Sequence, residues 1–217
     1  MYGYNSQRNR LISAGAVSYS YDNEGQLATA GATSLTFDCD HRLIGIGTDT
    51  QFAYDGIGNR LSAVRAGVTT RYIYDPWGNL LAEADSNGNA RKYIYGNGLL
   101  ALATADARYC YHFNATGSTI ALTDMTQTVV NSYTYEPFGQ ILAQQEAVPQ
   151  EFKFVGQYGV MAEPGGLYYM RAAPQCFQIY EVGVGRMFFA KFCENERNER
   201  YPRFRSSRMP DEIDGFP

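Results

Sequence analysis

The residues of this 217-residue chain best suited to chemistry are carboxylates and thiol–imidazole pairs that recur along it. Asp22, Asp38, Asp55 and Asp75 can be read as paired acids of the kind that flank a scissile glycosidic bond. Cys39-Asp-His41 and Cys110-Tyr-His112 each set a thiol and an imidazole on one face of a strand, together four possible zinc ligands. Position argues against both readings. A catalytic pair is made once, whereas each of these aspartates holds the same place in a repeated unit, as a turn cap would. The two Cys-x-His pairs fall at different places in the repeat: Cys39 follows a Phe-Asp anchor, and Cys110 lies inside an aromatic triplet. The chain is therefore expected to hold no catalytic residue, no metal and no cofactor. Cys39, Cys110, Cys176 and Cys193 contain no CxxC pair and are expected to be reduced, mostly buried thiols.

The elements that must position these groups are set by an aromatic-x-Tyr triplet. It occurs at Tyr19-Ser-Tyr21, Phe52-Ala-Tyr54, Tyr72-Ile-Tyr74, Tyr93-Ile-Tyr95, Tyr109-Cys-Tyr111 and Tyr133-Thr-Tyr135. Three copies run into an acidic cassette: Tyr21-Asp22-Asn-Glu-Gly25, Tyr54-Asp55-Gly-Ile-Gly58 and Tyr74-Asp75-Pro-Trp-Gly78. A fourth, Tyr135-Glu136-Pro137-Phe138-Gly139, has Glu for Asp, and weaker copies begin at Tyr4-Asn5 and Phe37-Asp38. A period of about 20 residues indicates a repetitive architecture. In the unit from Arg71 to Gly88, alternation at Tyr72 and Tyr74, and again at Leu80 and Ala82, turns one side of each strand to a core. Between them Asp75 caps a turn, Pro76 presets φ and Gly78 takes the φ > 0 position, while Asn87-Gly88 makes the return turn. One hairpin of this kind is unstable alone and must stack on its neighbours. The expected fold is all-β: an array of hairpins forming a spiralling, shell-like antiparallel sheet, followed by an irregular C-terminal tail.

The composition fits this. Tyrosine occurs 18 times and glycine 22 times, the makings of short strands and tight turns. A net charge of −4 speaks against a nucleic-acid partner, which needs a clustered basic surface. No apolar run is long enough to span a membrane, and Met1-Tyr-Gly-Tyr-Asn has no signal-peptide character.

With their Tyr-Asp, two residues, Gly, x, Leu pattern, these units resemble the YD repeats of Rhs proteins. The next stretch, Phe152-Lys-Phe154-Val-Gly156-Gln157-Tyr158 and then Gly166-Leu167-Tyr168-Tyr169-Met170-Arg171-Ala172, is similar to the start of the Rhs-associated core. The resemblance implies three parts: a shell segment over 1–150, the start of the core over 151–172, and a divergent, partly disordered tail over 173–217. It implies a hollow β-shell around a variable C-terminal toxin, in proteins that are secreted or displayed on the cell surface. The implied partners are a C-terminal toxin or upstream YD-repeat segments of a longer shell. Members of the family carry core aspartates that cleave the chain. After Ala172 this sequence departs from the family pattern, and no residue here matches those aspartates; Asp211 and Asp214 stand in a different context. The expected function is accordingly structural and encapsulating, in a shell fragment without catalytic activity of its own. Two alternatives remain: a cell-surface carbohydrate-binding or adhesion protein with glycans as partners, and an autoproteolytic toxin-delivery protein.

Overall fold

The computed structural model describes residues 2–6, 10–173, 176–181 and 186–189, with side chains described up to Met170. Its first sixteen strands form one sheet in which each strand is hydrogen-bonded to its neighbours in sequence. They are β1 (Tyr2–Tyr4), β2 (Leu11–Ala14), β3 (Val17–Tyr21), β4 (Leu27–Ala30), β5 (Thr33–Phe37), β6 (Leu43–Ile46), β7 (Thr50–Tyr54) and β8 (Arg60–Arg65). The second half continues with β9 (Val68–Tyr74), β10 (Leu80–Asp85), β11 (Ala90–Gly96), β12 (Gly98–Ala103), β13 (Arg108–Phe113), β14 (Thr119–Asp124), β15 (Val129–Tyr135) and β16 (Ile141–Glu146). A four-stranded sheet follows, made of β17 (Met161–Glu163), β18 (Leu167–Ala173), β19 (Cys176–Glu181) and β20 (Arg186–Phe189). Asp211, Asp214, Cys193 and the rest of the tail from 190 onward lie outside the described residues.

The acidic cassettes are turns of one design. The Asp55 N–H donates to the Asn59 carbonyl at 2.9 Å and the Gly58 N–H returns to the Asp55 carbonyl at 3.1 Å. Asp55 Oδ1 then accepts the N–H groups of Ile57 and Asn59, and Oδ2 accepts the Asn59 side-chain amide. Asp75 repeats the full set with Trp77 and Asn79. Asp38 and Asn114 make the two backbone contacts in their own turns. The residue three places after the cap needs positive φ: Gly58 at 90°, Gly78 at 88°, and His41 at 61° where glycine is missing. Glu136 keeps only the two backbone bonds, its longer side chain making no cap. Asp22, Asp38, Asp55 and Asp75 thus act as turn caps.

Each hairpin also carries a β-bulge at a fixed place. Ala53 pairs with Ser62 and Tyr54 with Arg60, so Leu61 is left over; Leu81, Leu100, Ile120 and Leu142 are left over in the same way. The extra residue points outward and rotates the strand. Inward positions are therefore three apart: Leu11 and Ala14, Leu43 and Ile46, Leu99 and Leu102, Thr119 and Leu122. This corrects the simple alternation expected after Leu80, because the buried partner is Glu83, not Ala82. The triplet supplies the other inward columns. Its first aromatic is buried (Tyr19, Phe52, Tyr72, Tyr93, Tyr111, Tyr133) and its third half-buried. Third-position hydroxyls reach back one hairpin: Tyr21 to the Leu11 carbonyl at 2.8 Å, Tyr54 to Leu43 at 2.7 Å and Tyr135 to Thr119 at 2.7 Å. That latch explains tyrosine, where phenylalanine would fill the space equally well.

Two further expectations are corrected. In register, the triplet of β13 is Tyr111-His112-Phe113 followed by Asn114, not Tyr109-Cys-Tyr111, because Phe113 pairs with Thr119 as Tyr95 pairs with Leu99. Cys39 and Cys110 are exposed free thiols: Cys39 sits in a turn and Cys110 on the outer face of its strand.

Candidate functional site at the seam between strap and sheet

Two residues after the turn glycines Gly25 and Gly78, the inward column reads Leu27 and Leu80, and the same slot holds Leu11, Leu43 and Leu99. Arg60 and Thr119 break it, and both are fully buried. Each break receives the segment 147–163, which lies as a strap along the inner face of the sheet. Thr119 accepts it through main chain and side chain: its N–H donates to the Lys153 carbonyl at 2.9 Å and its hydroxyl to the Phe152 carbonyl at 2.6 Å. The Gln157 N–H donates to the Gly117 carbonyl at 3.0 Å, and Phe152 meets Tyr93 edge-on at 5.0 Å. At its start the strap is bound by Asn131, whose Oδ1 accepts the Ala147 and Val148 N–H groups and whose amide donates to the Val148 carbonyl at 2.7 Å. Gln150 donates to the Tyr133 hydroxyl at 3.0 Å.

Arg60 meets the far end of the strap. Its guanidinium lies between the rings of Phe52 and Tyr169, 4.0 and 4.1 Å from their centroids, and its Nη1 donates to Glu163 Oε1. Arg65 joins both carboxylates of the strap, Nη2 to Glu163 Oε2 at 2.9 Å and Nη1 to Glu151 Oε1 at 3.0 Å. The Tyr72 hydroxyl accepts from Arg65 at 2.9 Å and donates to Glu151 at 3.4 Å. Next to them Glu83, in a slot that holds Ala63 in β8, Leu102 in β12 and Leu122 in β14, accepts from Arg91 at 2.7 Å and from the Tyr93 hydroxyl at 2.9 Å. Burial pushes the Tyr72, Tyr93 and Tyr111 hydroxyls well above their ordinary range, which keeps them neutral donors. Burial also pushes the Glu151 carboxyl up to about 7, against the pull of Arg65 and with Glu83 and Glu163 adding to the rise. Burial opposes the charge on Arg60, yet Glu163 and the surrounding tyrosines hold its pKa above the ordinary arginine value.

This arrangement pins: its guanidinium groups meet carboxylates or ring faces. Of the residues singled out from sequence, Tyr21, Asp22, Gly25, Tyr54, Asp55, Gly58, Tyr74, Asp75, Gly78, Tyr135 and Gly139 stand at strand ends and turns. Gly156, Gln157 and Tyr158 form a 3-10 turn in the strap, with Gln157 against Gly98 and Tyr158 against Gly117. Gly166, Leu167, Tyr168 and Tyr169 lead into and along β18, with the last three buried. The Arg171 side chain lies outside the described residues. His41 contacts Glu24 at 3.0 Å and Gln26 at 2.7 Å, and His112 contacts Thr123 at 2.9 Å. Reading the sequence for chemistry passed over Arg60, Arg65, Glu83, Glu151 and Glu163. The signal for Arg60 was present, a charge two residues after a turn glycine where leucine belongs. Nothing local marks Glu151 or Glu163.

A family model described as Teneurin YD-shell matches residues 2–165. The tRNA nuclease WapA of Bacillus subtilis (strain 168) is 34% identical over 178 residues, covering 76% of this chain and 8% of that protein. The tRNA3(Ser)-specific nuclease WapA of Bacillus spizizenii is 33% identical over the same coverage. The chain thus spans less than a tenth of the length of these relatives. Among solved structures, a Photorhabdus luminescens Tc holotoxin pore with a mutated TccC3 superposes with a TM-score of 0.60 at 15% identity, covering 78% of this chain and 9% of that one. A TcdB2-TccC3-TEV complex gives 0.53 at 14% identity, over 87% and 12%. The continuous bulged sheet is a shell wall, a structural role, and this chain belongs to the YD-shell family of Rhs-type repeat proteins.

Proposed function

We propose that this chain forms part of the wall of a shell that encloses a C-terminal toxin or effector segment, and that it contributes structure, not catalysis. The observation that carries this reading is the strap. A wall that must hold cargo needs its inner face fixed, and here the segment leading toward the C-terminus is anchored to that face by six or more side chains from β8 to β15. The structural neighbours are a Tc holotoxin pore and a TcdB2-TccC3-TEV complex, and the WapA relatives are named as nucleases; the first supports an association with toxins. The match of residues 2–165 to the YD-shell family supports a structural contribution from this part of the sequence. Secretion or surface display, the sequence division at 150 and 172, and partnership with upstream YD repeats belong to the same proposal. To test it, the chain is expressed within its native reading frame and treated with protease. Sequence following 172 should resist digestion, and Arg60→Leu should expose it. Equal digestion of the two proteins would refute enclosure.

One feature favours carbohydrate binding as a second reading. Hairpin β11–β12 lacks the acidic cassette, and beside this gap is a cleft of about 320 Å³ lined by Trp77, Asn79, Tyr95, Gln157 and Tyr158. Trp77 is 84% exposed. An exposed indole next to amide groups is suited to stacking on a sugar ring. Saturable binding on a glycan array, lost in Trp77→Ala, would support this reading; a blank array would remove it.

A further inference from the structure

The strap is held by a cluster whose carboxylates are not equally served. Glu163 receives a donor on each oxygen, from Arg60 and Arg65. Glu83 also leaves Oε2 buried without a partner, but its Oε1 receives two short donors, Arg91 at 2.7 Å and Tyr93 at 2.9 Å, and shares neither with a carboxylate of the strap. Glu151 shares Arg65 with Glu163, takes a long 3.4 Å bond from Tyr72, and leaves Oε2 buried without a partner. Glu151 is also the residue at which the strap folds back, since its backbone carbonyl accepts the Ala162 N–H at 2.8 Å and the Lys153 N–H at 3.1 Å. The groups facing it come from every packed element: Arg60 and Arg65 on β8, Tyr72 on β9, Glu83 on β10, Arg91 and Tyr93 on β11, and Glu163 on β17.

We propose that this cluster makes the strap a pH-responsive clasp, docked most firmly in mildly acidic solution and loosened as the solution becomes neutral to alkaline. A buried carboxyl with one oxygen lacking a donor resists ionisation, so the docked strap favours the protonated form. An acid whose pKa is higher in the docked state than in the released state contributes stability that is complete below the released value. That contribution is lost as pH rises through the docked value. Here those values are the ordinary 4.5 and about 7. Between pH 5 and pH 8 the opening equilibrium of the strap then rises by roughly tenfold or more.

The test is amide hydrogen exchange on the whole chain at pH 5 and pH 8, corrected for intrinsic rates, with β3–β6 as internal reference. The amides of Lys153, Gly156, Gln157 and Ala162 should lose protection at pH 8 relative to the reference, and Glu151→Gln should abolish the difference. A change below about threefold, or an equal change in wild type and Glu151→Gln, overturns the proposal. A carbon-13 carboxyl titration of the wild-type protein decides the matter independently of how the variant folds. A Glu151 midpoint near 7 supports the clasp, and one in the ordinary carboxylate range overturns it.

Discussion

Replacing Arg60 by leucine restores the residue that the repeat places in its slot, and it should nevertheless weaken the protein. Leucine would fill the gap between Phe52 and Tyr169, so the loss is electrostatic and not a cavity. Glu163 Oε1 would be left buried with no donor, its other oxygen still held by Arg65 at 2.9 Å. Breaking a buried pair by removing one partner costs about 3–5 kcal/mol, and the surviving Arg65 contact puts this case near 3 kcal/mol. Glu163→Leu should cost more, about 4 kcal/mol, because Arg60 is fully buried while Arg65 keeps Glu151. The double variant Arg60→Leu/Glu163→Leu removes both charges and should lie within about 2 kcal/mol of wild type. Native-state exchange of the strap amides in rising urea is the suitable assay, because a stacked sheet can open hairpin by hairpin and a single midpoint would blur the effect. If the double variant loses as much as the two singles together, Arg60 does not act through Glu163, and the account of the seam fails.

The inter-hairpin latch predicts that Tyr54→Phe, which removes only the hydroxyl bonded to the Leu43 carbonyl, lowers the stability of β5–β8 by about 1 kcal/mol, measured by exchange of their amides. No effect would mean that the tyrosine is retained for its ring alone. Asp75→Ala should destabilise its turn by about 1 kcal/mol, whereas Asp75→Asn should be close to neutral, since Asn114 caps an equivalent turn; equal losses would reject the capping role. For Asp55 and Asp75, slight burial pushes the carboxyls up, but the Asn59 and Asn79 side chains and the turn N–H groups outweigh it and hold them below the ordinary value. Their contribution is therefore present above the unfolded pKa and disappears as pH falls through the lowered one, so acid below about pH 4 should fray this turn edge first. Turn amides that remain protected there would contradict the assignment.

The wall was legible in the sequence because its determinants are local and repeated. An Asp, two residues and a Gly define a turn wherever they occur, and a run of such turns defines a meander. The bulge was not legible, since Leu80 and Ala82 satisfy a period of two as well as any strand; only the pairing of Leu80 with Tyr74 and of Ala82 with Ile73 shows that Leu81 is the extra residue. The β13 register was obscured for a related reason, as Tyr109 and Tyr111 imitate the triplet while the true third position is a phenylalanine. The seam was hidden because its two halves are separated by 103 residues at Arg60 and Glu163. Charge complementarity at that distance along the chain has no periodic signature.

The exceptions to the repeat carry information that the repeat itself does not. A hairpin array in which each unit offers the same leucine, aromatic and tyrosine latch has no way to fix where an incoming segment stops, because a shift by one unit would meet an equivalent surface. Register is supplied by slots that differ: Arg60, Thr119 and Asn131 each accept one part of the strap and would be left unsatisfied by any other. An unpaired buried guanidinium or carboxylate costs several kcal/mol, enough to exclude a slipped docking even where apolar contacts are conserved. In this view the leucines stabilise the wall without regard to position, and the polar substitutions determine which part of it the strap closes.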